Sequence, residues 1–544
     1  KNKFFLSLIL PLLVPALFSC TSVEKENPPT PSGPSVPSTP EDEPTIEEDE
    51  PFDGYEIENP NAVRPESGIQ QINIFGINDF HGAVKANYKE MGLLNLGTFI
   101  KQKTAEPNTL FIDSGDTWQG SLESNFNNGK LITEVYNNAK ISARIAGNHD
   151  FDWGTDKLSN NVSQSLFPNL AANVYNFDWE TKKSGNNQQK ALGKSYATYV
   201  LDNGLKVGII GTIGEIQITS ISTQLVENIT FKDQTEVIQD VSDYLRTDKK
   251  CDIVIASSHS SFDQMAPEQL TKVSQVSKKC YVDLVLNAHT HQEETFEDSN
   301  VKFAQFGANG ELVGQVKLYY DFEKEKLIDT STIVTSYSKT QVLDEIGNKI
   351  DEEILSIYER YDAETKTLGD QVLTKNISGS FYSSEQLPNL MAEAMYKESV
   401  KEGYTVDFAY TNPGRASHYK SSMTYSDLFN IFPFDNTVQI IEVTGKVAAN
   451  MLRFKNNIYR ADPELQIQYT GTYKVAILDY LAFHCDESRN YDFFPILTKL
   501  GKLTKNNEDY IYREILKDYL LANPNRLFDS VEYSFSNPVF AREG

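Results

Sequence analysis

The feature that most constrains this chain is a set of five short segments that carry metal-binding side chains between residues 78 and 291. Five of the seven His residues of the chain lie in these segments, and three of the segments also contain Asp. Imidazole and carboxylate ligands together suit borderline divalent ions such as Zn or Mn. The pattern therefore indicates a metal centre. The segments are Asn78–Gly82, Ser114–Asp116, Gly147–Asp152, Ser258–His259 and Ala288–His291.

Most of these segments come after short apolar runs, which predict buried strands. The runs are Ile72–Ile77, Thr109–Ile112, Asp252–Ala256 and Asp283–Leu286. Runs of this length and apolarity are typical of strands that are covered on both faces. Because ligands collect beyond the carboxyl ends of the strands in layered α/β folds, we expect the segments to lie along one rim of such a fold.

The length of the chain predicts two domains, since 544 residues are too many for one compact core. Strand-like and amphipathic stretches alternate from residue 70 to about residue 320, which predicts a layered α/β-sandwich domain over residues 70–344. A charged helix is expected over residues 345–365, with Ile350 and Ile354 at core-like spacing. This helix would link the first domain to a smaller α+β domain over residues 366–544.

Residues 1–19 resemble the signal peptide of a bacterial lipoprotein. Lys1 and Lys3 precede a mostly apolar stretch, Phe4–Phe18, which is short for a spanning helix and typical of a signal peptide. The stretch stops at Cys20, so the resemblance implies cleavage before Cys20 and lipidation of that residue. We therefore expect an exported chain that is lipid-anchored at the bacterial cell surface or the outer face of a membrane. An uncleaved anchor helix and an ordinary signal peptide are the alternatives.

Residues 20–69 are expected to form a tether rather than a core. They contain the run Pro28–Pro31, further Pro among Ser and Thr, and the acidic run Glu47–Glu50. Such a composition buries little apolar surface and is typical of disordered or polyproline-like segments.

Three more Cys follow the tether, and an odd number cannot pair completely. Cys251 and Cys280 each precede an apolar run, so neighbouring strands could place them side by side, whereas Cys485 has no such partner. A disulfide between Cys251 and Cys280 and two buried thiols are both open interpretations.

The net charge of the chain excludes some classes of binding partner. The chain has 50 Lys and Arg against 76 Asp and Glu, a formal net charge of −26. Such a surface repels nucleic acid and anionic membrane, so we expect neither as a partner, apart from membrane attachment through the lipid. An anionic small molecule would need a local positive site, which a pair of metal ions would supply. The sequence leaves the oligomeric state open.

The five segments, in this order, resemble the calcineurin-like metallophosphoesterase superfamily. They are most similar to its 5′-nucleotidase branch, which includes bacterial UDP-sugar hydrolases and 2′,3′-cyclic nucleotide phosphodiesterases. The resemblance is strong over residues 70–320 and weaker over residues 370–500. It implies two divalent metal ions, Zn or Mn, and seven ligands: Asp79, His81 and His291 at one ion, Asn148, His259 and His289 at the other, and Asp116 bridging both.

The same resemblance assigns catalytic roles to two further residues. His149 would face the substrate and stabilise the transition state or protonate the leaving oxygen, and Asp152 would orient its imidazole. The implied mechanism is in-line attack on phosphorus by a metal-bound hydroxide. The chain departs from the family pattern at Ala288, where Gly is usual, and at Asp150, where Glu is usual and to which no ligand role is assigned.

The second domain carries a weaker resemblance to the substrate-binding domain of the family. Phe434 and Tyr480 align with two aromatic residues that sandwich a nucleobase, and Asp486 or Asp492 with an acid that contacts the nucleoside. Ordinary core packing is the alternative interpretation of both aromatic residues.

Two loops of this domain depart from the family pattern. The usual Gly-rich turn is replaced by a shorter one, Asn412–Arg415, in which Asn412 and Arg415 are the candidate substrate ligands. The usual Asn-Gly-Gly-Asp-Gly is replaced by Phe483–Glu487. Since that loop shapes the base pocket in the family, the preference for base or sugar is left open.

These observations predict an exported, lipid-anchored dimetal phosphohydrolase that removes phosphate from nucleotides, as a 5′-nucleotidase does. A phosphodiesterase acting on cyclic nucleotides or nucleotide-sugars is the alternative within the same chemistry. A non-catalytic surface lipoprotein, which binds a ligand on a degenerate enzyme scaffold, is the alternative of another class. The complete set of metal-binding residues argues against that alternative.

Overall fold

The structure is a computed structural model that describes residues 51–176, 192–227, 229–328, 332–453, 456–483 and 494–541. Residues 49–544 form one compact unit. The predicted signal peptide, Cys20 and most of the predicted tether lie outside the described residues. So do Cys485, Asp486 and Asp492.

Two sheets stacked face to face form the first lobe, which we define as residues 51–345. The first sheet has seven strands, in spatial order Gly54–Ile57, Tyr196–Val200, Lys206–Ile213, Ile253–His259, Leu284–Leu286, Val301–Phe306 and Glu293–Asp298. The second sheet has the order Lys326–Leu327, Leu312–Asp321, Ile69–Ile77, Thr109–Asp113, Ala143–Ile145 and Asn169–Leu170, with Ile333–Ser338 also paired to Leu312–Asp321. The central strands of both sheets run parallel.

The strands of the first lobe are apolar because both of their faces are covered. Ile74 and Ile112 of the second sheet pack against Ile209 and Ile255 of the first, in a core between the sheets. The remaining faces are covered by helices, as the apolar runs predict. The helices of this lobe are Gly92–Thr104, Leu122–Asn125, Lys130–Ala139, Thr155–Gln164, Gln234–Thr247, Pro267–Leu270 and Lys339–Glu345, and a ribbon pairs Val174–Asn176 with Ile229–Phe231. The predicted layered α/β sandwich is confirmed.

The connecting helix differs from the prediction in its bounds. The structure places one helix at Lys339–Glu345 and a second, longer one at Glu352–Gly369. Between them Gly347 and Asn348 have positive φ, a left-handed conformation that ends a helix. Asp351 then caps the second helix, its carboxylate accepting a hydrogen bond from the Ile354 amide at 3.2 Å.

The second lobe, which we define as residues 370–541, is built on a mixed six-stranded sheet. The spatial order is Thr498–Lys502, Val438–Thr444, Thr472–Leu478, Phe408–Thr411, Asn457–Arg460 and Phe540–Ala541. Helices Gln386–Lys401, Tyr425–Ile431, Gly445–Met451, Asp479–Ala482 and Tyr512–Ala522 surround it. Three short ribbons pair Val372–Thr374 with Met423–Thr424, Ile377–Ser378 with Phe528–Asp529, and Thr504–Lys505 with Glu508–Asp509. The predicted α+β character of this lobe is confirmed.

The two lobes contact each other on either side of the metal-binding rim. Leu122 of the first lobe is buried in the hydrophobic core of the second. The side-chain amides of Gln119 and Asn125 both donate to the Pro433 carbonyl oxygen, at 3.1 and 3.0 Å. On another edge the Thr223 amide donates to the Phe483 carbonyl oxygen at 3.1 Å. The loop that follows Asp116 is therefore fastened to the second lobe.

The structure corrects the expectation of a disordered tether for residues 51–69. Gly54–Ile57 form a strand that pairs in parallel with Tyr196–Val200. Arg64 forms an ion pair with Asp252 at 2.8 Å. The sequence of this short strand is half polar, and it becomes a strand because the sheet edge supplies its hydrogen-bond partners.

The structure also decides the question of the cysteine pair, since the Cys251 thiol is buried and free. The backbone of Cys280 forms a bridge with Val273 rather than continuing beside the strand that follows Cys251. No helix in the described part of the chain combines the length and the apolar composition needed to span a bilayer.

Candidate metal centre

The metal-binding segments lie where strands of the two sheets end. Asp79 follows the strand Ile69–Ile77, Asp116 follows Thr109–Asp113, and His259 is the last residue of its strand. Backbone hydrogen bonds continue past the strands, since the Asp79 amide donates to the Gly115 carbonyl at 2.9 Å and the His81 amide to the Asp116 carbonyl at 2.8 Å. The first two ligand loops therefore extend the parallel ladder beyond the sheet.

Five of the seven predicted ligands have a left-handed backbone. Their φ values are 50° for Asp79, 47° for His81, 53° for Asp116, 78° for His289 and 59° for His291. This region is sparsely populated by residues other than Gly, and such strain clusters at functional sites. The turns aim the side chains back across the rim instead of continuing along the strands.

The structure brings the seven predicted ligands together in two groups. Asp79, His81 and His291 each offer one atom of a first group, and Asp116, His259 and His289 of a second, with all ligand atoms of a group within 4.8 Å of one another. The groups adjoin, because His259 Nε2 lies 3.1 Å from Asp116 Oδ2 and 3.8 Å from Asp79 Oδ1.

Asn148 completes the second group. Its Oδ1 lies 3.2 Å from His259 Nε2 and 3.0 Å from His289 Nδ1. An amide oxygen is an uncharged ligand, so it adds no negative charge beside the carboxylates.

Hydrogen bonds from neighbouring groups hold the ligands in place. Asn78 donates to Asp79 Oδ2 at 2.7 Å, and the His289 amide donates to the same oxygen at 2.9 Å. His259 Nδ1 lies 2.9 Å from the Ser114 carbonyl oxygen. A carbonyl partner on one ring nitrogen directs the other towards the metal position, as is usual for ligand imidazoles.

The donor set fits two divalent cations. Asp79 Oδ1 is buried and has no hydrogen-bond partner in the described structure, and it points into the cluster of imidazole nitrogens. Mixed imidazole, carboxylate and amide donors suit Zn²⁺ or Mn²⁺. A metal ion held at this position would satisfy Asp79 Oδ1.

Electrostatics also favour positive charge at this site. Burial lowers the pKa of His259, but the carboxylates of Asp116 and Asp79 outweigh burial and raise it to about 10. Burial lowers the pKa of His81 and of His289 to about 4. Burial therefore leaves His81 and His289 neutral, the protonation state in which imidazoles bind metals, whereas the carboxylates hold a positive charge on His259 that a bound cation would replace.

His149 and Asp152 form a pair at the edge of the metal centre. His149 Nδ1 lies 2.8 Å from Asp152 Oδ2, and the His149 amide donates to Asp116 Oδ1 at 2.8 Å. Burial lowers the pKa of His149, while Asp152 and Asp116 raise it, to about 9. The imidazole is thus fixed in orientation and held in its protonated form.

Phe434 of the second lobe lies directly on this imidazole. The rings of Phe434 and His149 are stacked with centroids 5.2 Å apart and an interplanar angle of 24°. The Arg415 guanidinium carbon lies 4.9 Å from the centroid of the same Phe434 ring. Phe434 is half-buried and contacts the site, so ordinary core packing does not describe it.

A cavity of about 950 Å³ between the lobes opens on His149 and the second ligand group. Four of the predicted substrate ligands line it, namely Asn412, Arg415, Phe434 and Tyr480. Tyr480 also packs against the core of the second lobe, so it lines the cavity and contributes to the core at the same time. The fifth candidate, Asp486, lies outside the described residues.

A second cavity, of about 600 Å³, opens on the first ligand group. It contacts His81 and His291, and it shares Arg415 and Phe434 with the larger cavity. Its other lining residues are partly small or apolar and partly polar, and the polar ones are Lys85, Asn87, Glu90, Gln119, Ser121, Glu123, Asn309, Ser426 and Asn430. The metal centre is therefore reached from two sides, with Phe434 between them.

Sequence reasoning missed residues that shape the site from a distance. Arg513 donates to the carbonyl oxygens of Phe432 and Phe434, at 2.9 and 3.0 Å, and to Asp435 at 2.5 Å. These bonds hold the loop that carries Phe434. Arg513 is 79 residues away from Phe434 in sequence, and no local sequence pattern predicts this contact. Trp153 and Asp479 also line the larger cavity.

The structure accommodates Ala288 and Asp150, the two residues near the ligands at which the chain departs from the family pattern. Ala288 is buried and its backbone is not left-handed, so its methyl group causes no backbone strain. Asp150 belongs to neither ligand group in the described part of the chain, and its carboxylate forms an ion pair with buried Arg144 and accepts the Gly147 amide at 2.7 Å.

Two family profiles match the chain. Residues 72–293 match "Calcineurin-like phosphoesterase" and residues 365–472 match "5′-nucleotidase, C-terminal domain". The first match covers all five metal-binding segments, and the second includes Asn412, Arg415 and Phe434.

Individual proteins show the same similarity. Endonuclease YhcR of Bacillus subtilis (strain 168) is 24% identical over 402 residues, which are 69% of this chain and 32% of that protein. A 5′-nucleotidase of Vibrio cholerae serotype O1 (strain ATCC 39315 / El Tor Inaba N16961) is 22% identical over 532 residues, 83% of this chain and 90% of that one. The chain therefore spans only 32% of the length of the endonuclease but nearly all of the length of the nucleotidase.

The fold is shared with a solved structure. The crystal structure of a 5′-nucleotidase precursor from Thermus thermophilus matches with a TM-score of 0.65 and 17% identity, over 83% of this chain and 96% of that one. At this identity the likeness concerns the fold alone.

The two ligand groups predict that each molecule binds two Mn²⁺ or Zn²⁺ ions, and that Asp116→Ala weakens both sites. An ion at 100 times its Kd raises the free energy of unfolding by about 2.7 kcal/mol, so metal should raise the thermal midpoint of the native chain and not that of the variant. Calorimetric titration and thermal unfolding with and without metal measure this. Asp202→Ala, at an exposed carboxylate, is the control. Two tight sites in Asp116→Ala would contradict the assignment.

Proposed function

The chain belongs to the calcineurin-like phosphoesterases that carry a 5′-nucleotidase C-terminal domain, and from that premise we propose that it is a two-metal hydrolase that removes phosphate from nucleotides. The observation that carries the proposal is the His149–Asp152 pair, which adjoins both ligand groups and lies against Phe434. A metal centre, a positioned imidazole and an aromatic wall are the parts that hydrolysis of a nucleotide requires.

The ligand set would hold two ions, which would supply the Lewis acidity that polarises a phosphoryl group and activates water. Asp79, His81 and His291 would hold one, Asn148, His259 and His289 the other, with Asp116 between them. The proton transfer would be carried out by side chains of the protein. Because Asp152 engages His149 Nδ1, the Nε2 atom is the one that meets the substrate and donates a proton to the leaving oxygen.

The larger cavity would bind the nucleoside. Phe434 and Tyr480 offer aromatic faces for the base, and the Arg415 guanidinium offers two parallel N–H donors to the phosphate oxygens. The location of Arg415, which lines the cavity together with His149, supports a phosphate position between the nucleoside pocket and the metal centre. The second lobe therefore contributes recognition and the first lobe contributes the chemistry.

We expect His149→Ala to lower kcat by about 10²–10⁴-fold on 5′-nucleotides, the range for loss of a general acid, with metal content unchanged. Phosphate release from 5′-nucleotides, 3′-nucleotides and an aryl phosphate, with Mn²⁺ or Zn²⁺, measures this. Asp152→Asn keeps the shape of the side chain, so it should lower kcat less than His149→Ala does. Metal-loaded wild-type protein that hydrolyses none of these would support the non-catalytic binding lipoprotein instead.

The smaller cavity favours a second candidate function, hydrolysis of a phosphodiester or a nucleotide-sugar. A phosphomonoester has one organic group on the phosphorus, which the larger cavity accommodates. A diester has two, and in a nucleotide-sugar the second group on the reacting phosphorus is a sugar phosphate. The polar side chains of the smaller cavity, on the other side of Phe434, suit a group with many hydroxyl groups. The two cavities thus match the two substituents of such a substrate.

Filling the smaller cavity separates these two candidates. Asn430 is an exposed residue of its lining, so Asn430→Trp should lower kcat/KM for a nucleotide-sugar by about tenfold or more, through a steric clash that costs at least about 1.4 kcal/mol, and leave 5′-nucleotide hydrolysis unchanged. Ser421→Trp, at an exposed residue outside the cavity, is the matched control. Equal turnover of nucleotide-sugars by both variants would remove the second candidate.

We also propose that the chain is exported and lipid-anchored through Cys20, on the pattern of residues 1–20. Anchoring outside the cell would place the enzyme where nucleotides are salvaged. Expression of the full chain in bacteria, followed by detergent phase separation, should place it in the detergent phase, and Cys20→Ala should move it to the aqueous phase, because lipid attachment requires the thiol. An aqueous wild-type chain would contradict the anchor.

A further inference from the structure

A buried ion pair, Arg144–Asp150, lies behind the metal ligands and takes no part in the mechanism above. Arg144 and Asp150 are each only 1% exposed. The Arg144 guanidinium carbon stacks on the Trp118 ring at 3.6 Å from its centroid. A planar cation held this tightly, beside a metal centre that is itself cationic when loaded, requires an explanation other than charge balance.

The contacts of Arg144 reach both of the central ligand loops. Its Nε donates to Thr117 Oγ1 at 2.9 Å, and Thr117 is the residue after Asp116. Its Nη2 pairs with Asp150, two residues after Asn148. A third branch donates from Nη1 to Asn169 Oδ1 at 3.2 Å, which ties the guanidinium to the neighbouring strand.

Thr117 and Asp150, which Arg144 contacts, are themselves held by further hydrogen bonds. Thr117 Oγ1 donates to Asp113 Oδ2 at 2.9 Å, at the end of the strand that leads to Asp116. Asp150 Oδ2 accepts the Gly147 amide at 2.7 Å, at the start of the other loop. One guanidinium therefore connects two loops through partners that are themselves held by backbone or by a buried carboxylate.

The loop that carries Asp116 and the loop that begins at Gly147 are in close contact. A Cβ atom on Gly147 would lie 2.2 Å from Asp116 Oδ1 and 2.4 Å from the Asp116 amide nitrogen. A change in the separation of the loops would therefore move Asp116 relative to Asn148 directly. A few tenths of an ångström matter for metal ligands, whose bond lengths are narrowly defined.

We propose that Arg144 is a positioning residue that fixes the loop of Asp116 relative to the loop of Asn148 and His149, and thereby sets the affinity for the second metal ion. The proposal rests on the proposed two-metal function. It depends on the planar fork of the guanidinium, which bonds Thr117 and Asp150 at once, and lysine cannot reproduce this with a single point charge.

The same lobe offers a matched control for a buried Arg–Asp pair. Arg246 is 7% exposed, pairs with Asp283 at 2.6 Å and donates to the carbonyl oxygens of Asp252 and Cys280. None of these partners belongs to a ligand loop. A purely structural role for Arg144 predicts that Arg144→Lys and Arg246→Lys behave alike.

The test is calorimetric titration of the metal-free chain with Mn²⁺, together with thermal unfolding and steady-state kinetics. We expect Arg144→Lys to bind the second ion about 10–100-fold more weakly, the usual effect of losing a group that supports metal ligands. At subsaturating Mn²⁺ kcat should fall with the occupancy of that site, and KM should stay unchanged. Arg246→Lys should lose thermal stability and keep wild-type affinity for both ions.

A second pair of variants decides the matter if Arg144→Lys does not fold. Thr117→Val removes the hydroxyl that Arg144 bonds and keeps the side-chain shape, whereas Thr117→Ser keeps the hydroxyl. The Val variant should weaken the second ion and the Ser variant should not. Wild-type affinity for both ions in folded Arg144→Lys or in Thr117→Val would overturn the proposal. Because metal affinity is measured without substrate, failure of nucleotide hydrolysis alone would count against the proposed function and not against this inference.

Discussion

The constraint on which the rest of the structure depends is the burial of two carboxylates, Asp79 and Asp116, at the rim where the two sheets end. Removing charged groups from water is costly unless they are paired and hydrogen-bonded. Here the compensation comes from imidazoles and backbone amides, and Asp79 Oδ1 still has no hydrogen-bond partner among the described residues. Two cations held by this ligand set would complete the balance, and this accounts for a site built from metal-binding side chains rather than from a closed hydrogen-bonded network.

The same constraint accounts for the unusual backbone. A left-handed residue other than Gly costs about 1–3 kcal/mol, and five ligands adopt this conformation. Backbone hydrogen bonds continue from the strands into the loops, such as the one from the His81 amide to the Asp116 carbonyl oxygen at 2.8 Å. They compensate for part of this cost. The strained turns and the extended ladder together hold the side chains before any metal binds, so less ordering is needed when it does.

The sequence is sufficient to predict the features that local pattern encodes. Apolar runs that end in His or Asp predict strands whose ends meet, and the α/β sandwich follows from them. The break in the connecting helix had a local signal in Gly347, whereas the strand Gly54–Ile57 had none, since it forms only because a sheet edge is available. Arg144 and Arg513 could not be recognised either. Their importance lies in contacts with loops far away in the chain, and an isolated Arg in a sequence does not reveal its partners.

The division of labour between the lobes follows from the position of Phe434. This residue stacks on His149, lies under Arg415 and separates the two cavities, although it comes from the lobe that contributes no metal ligand. Its loop is held by Arg513 and by the hydrogen bonds from Gln119 and Asn125 to Pro433. The walls of both cavities can therefore change in shape and chemistry while the imidazole and the metal ligands stay fixed, which separates the choice of substrate from the chemistry performed on it.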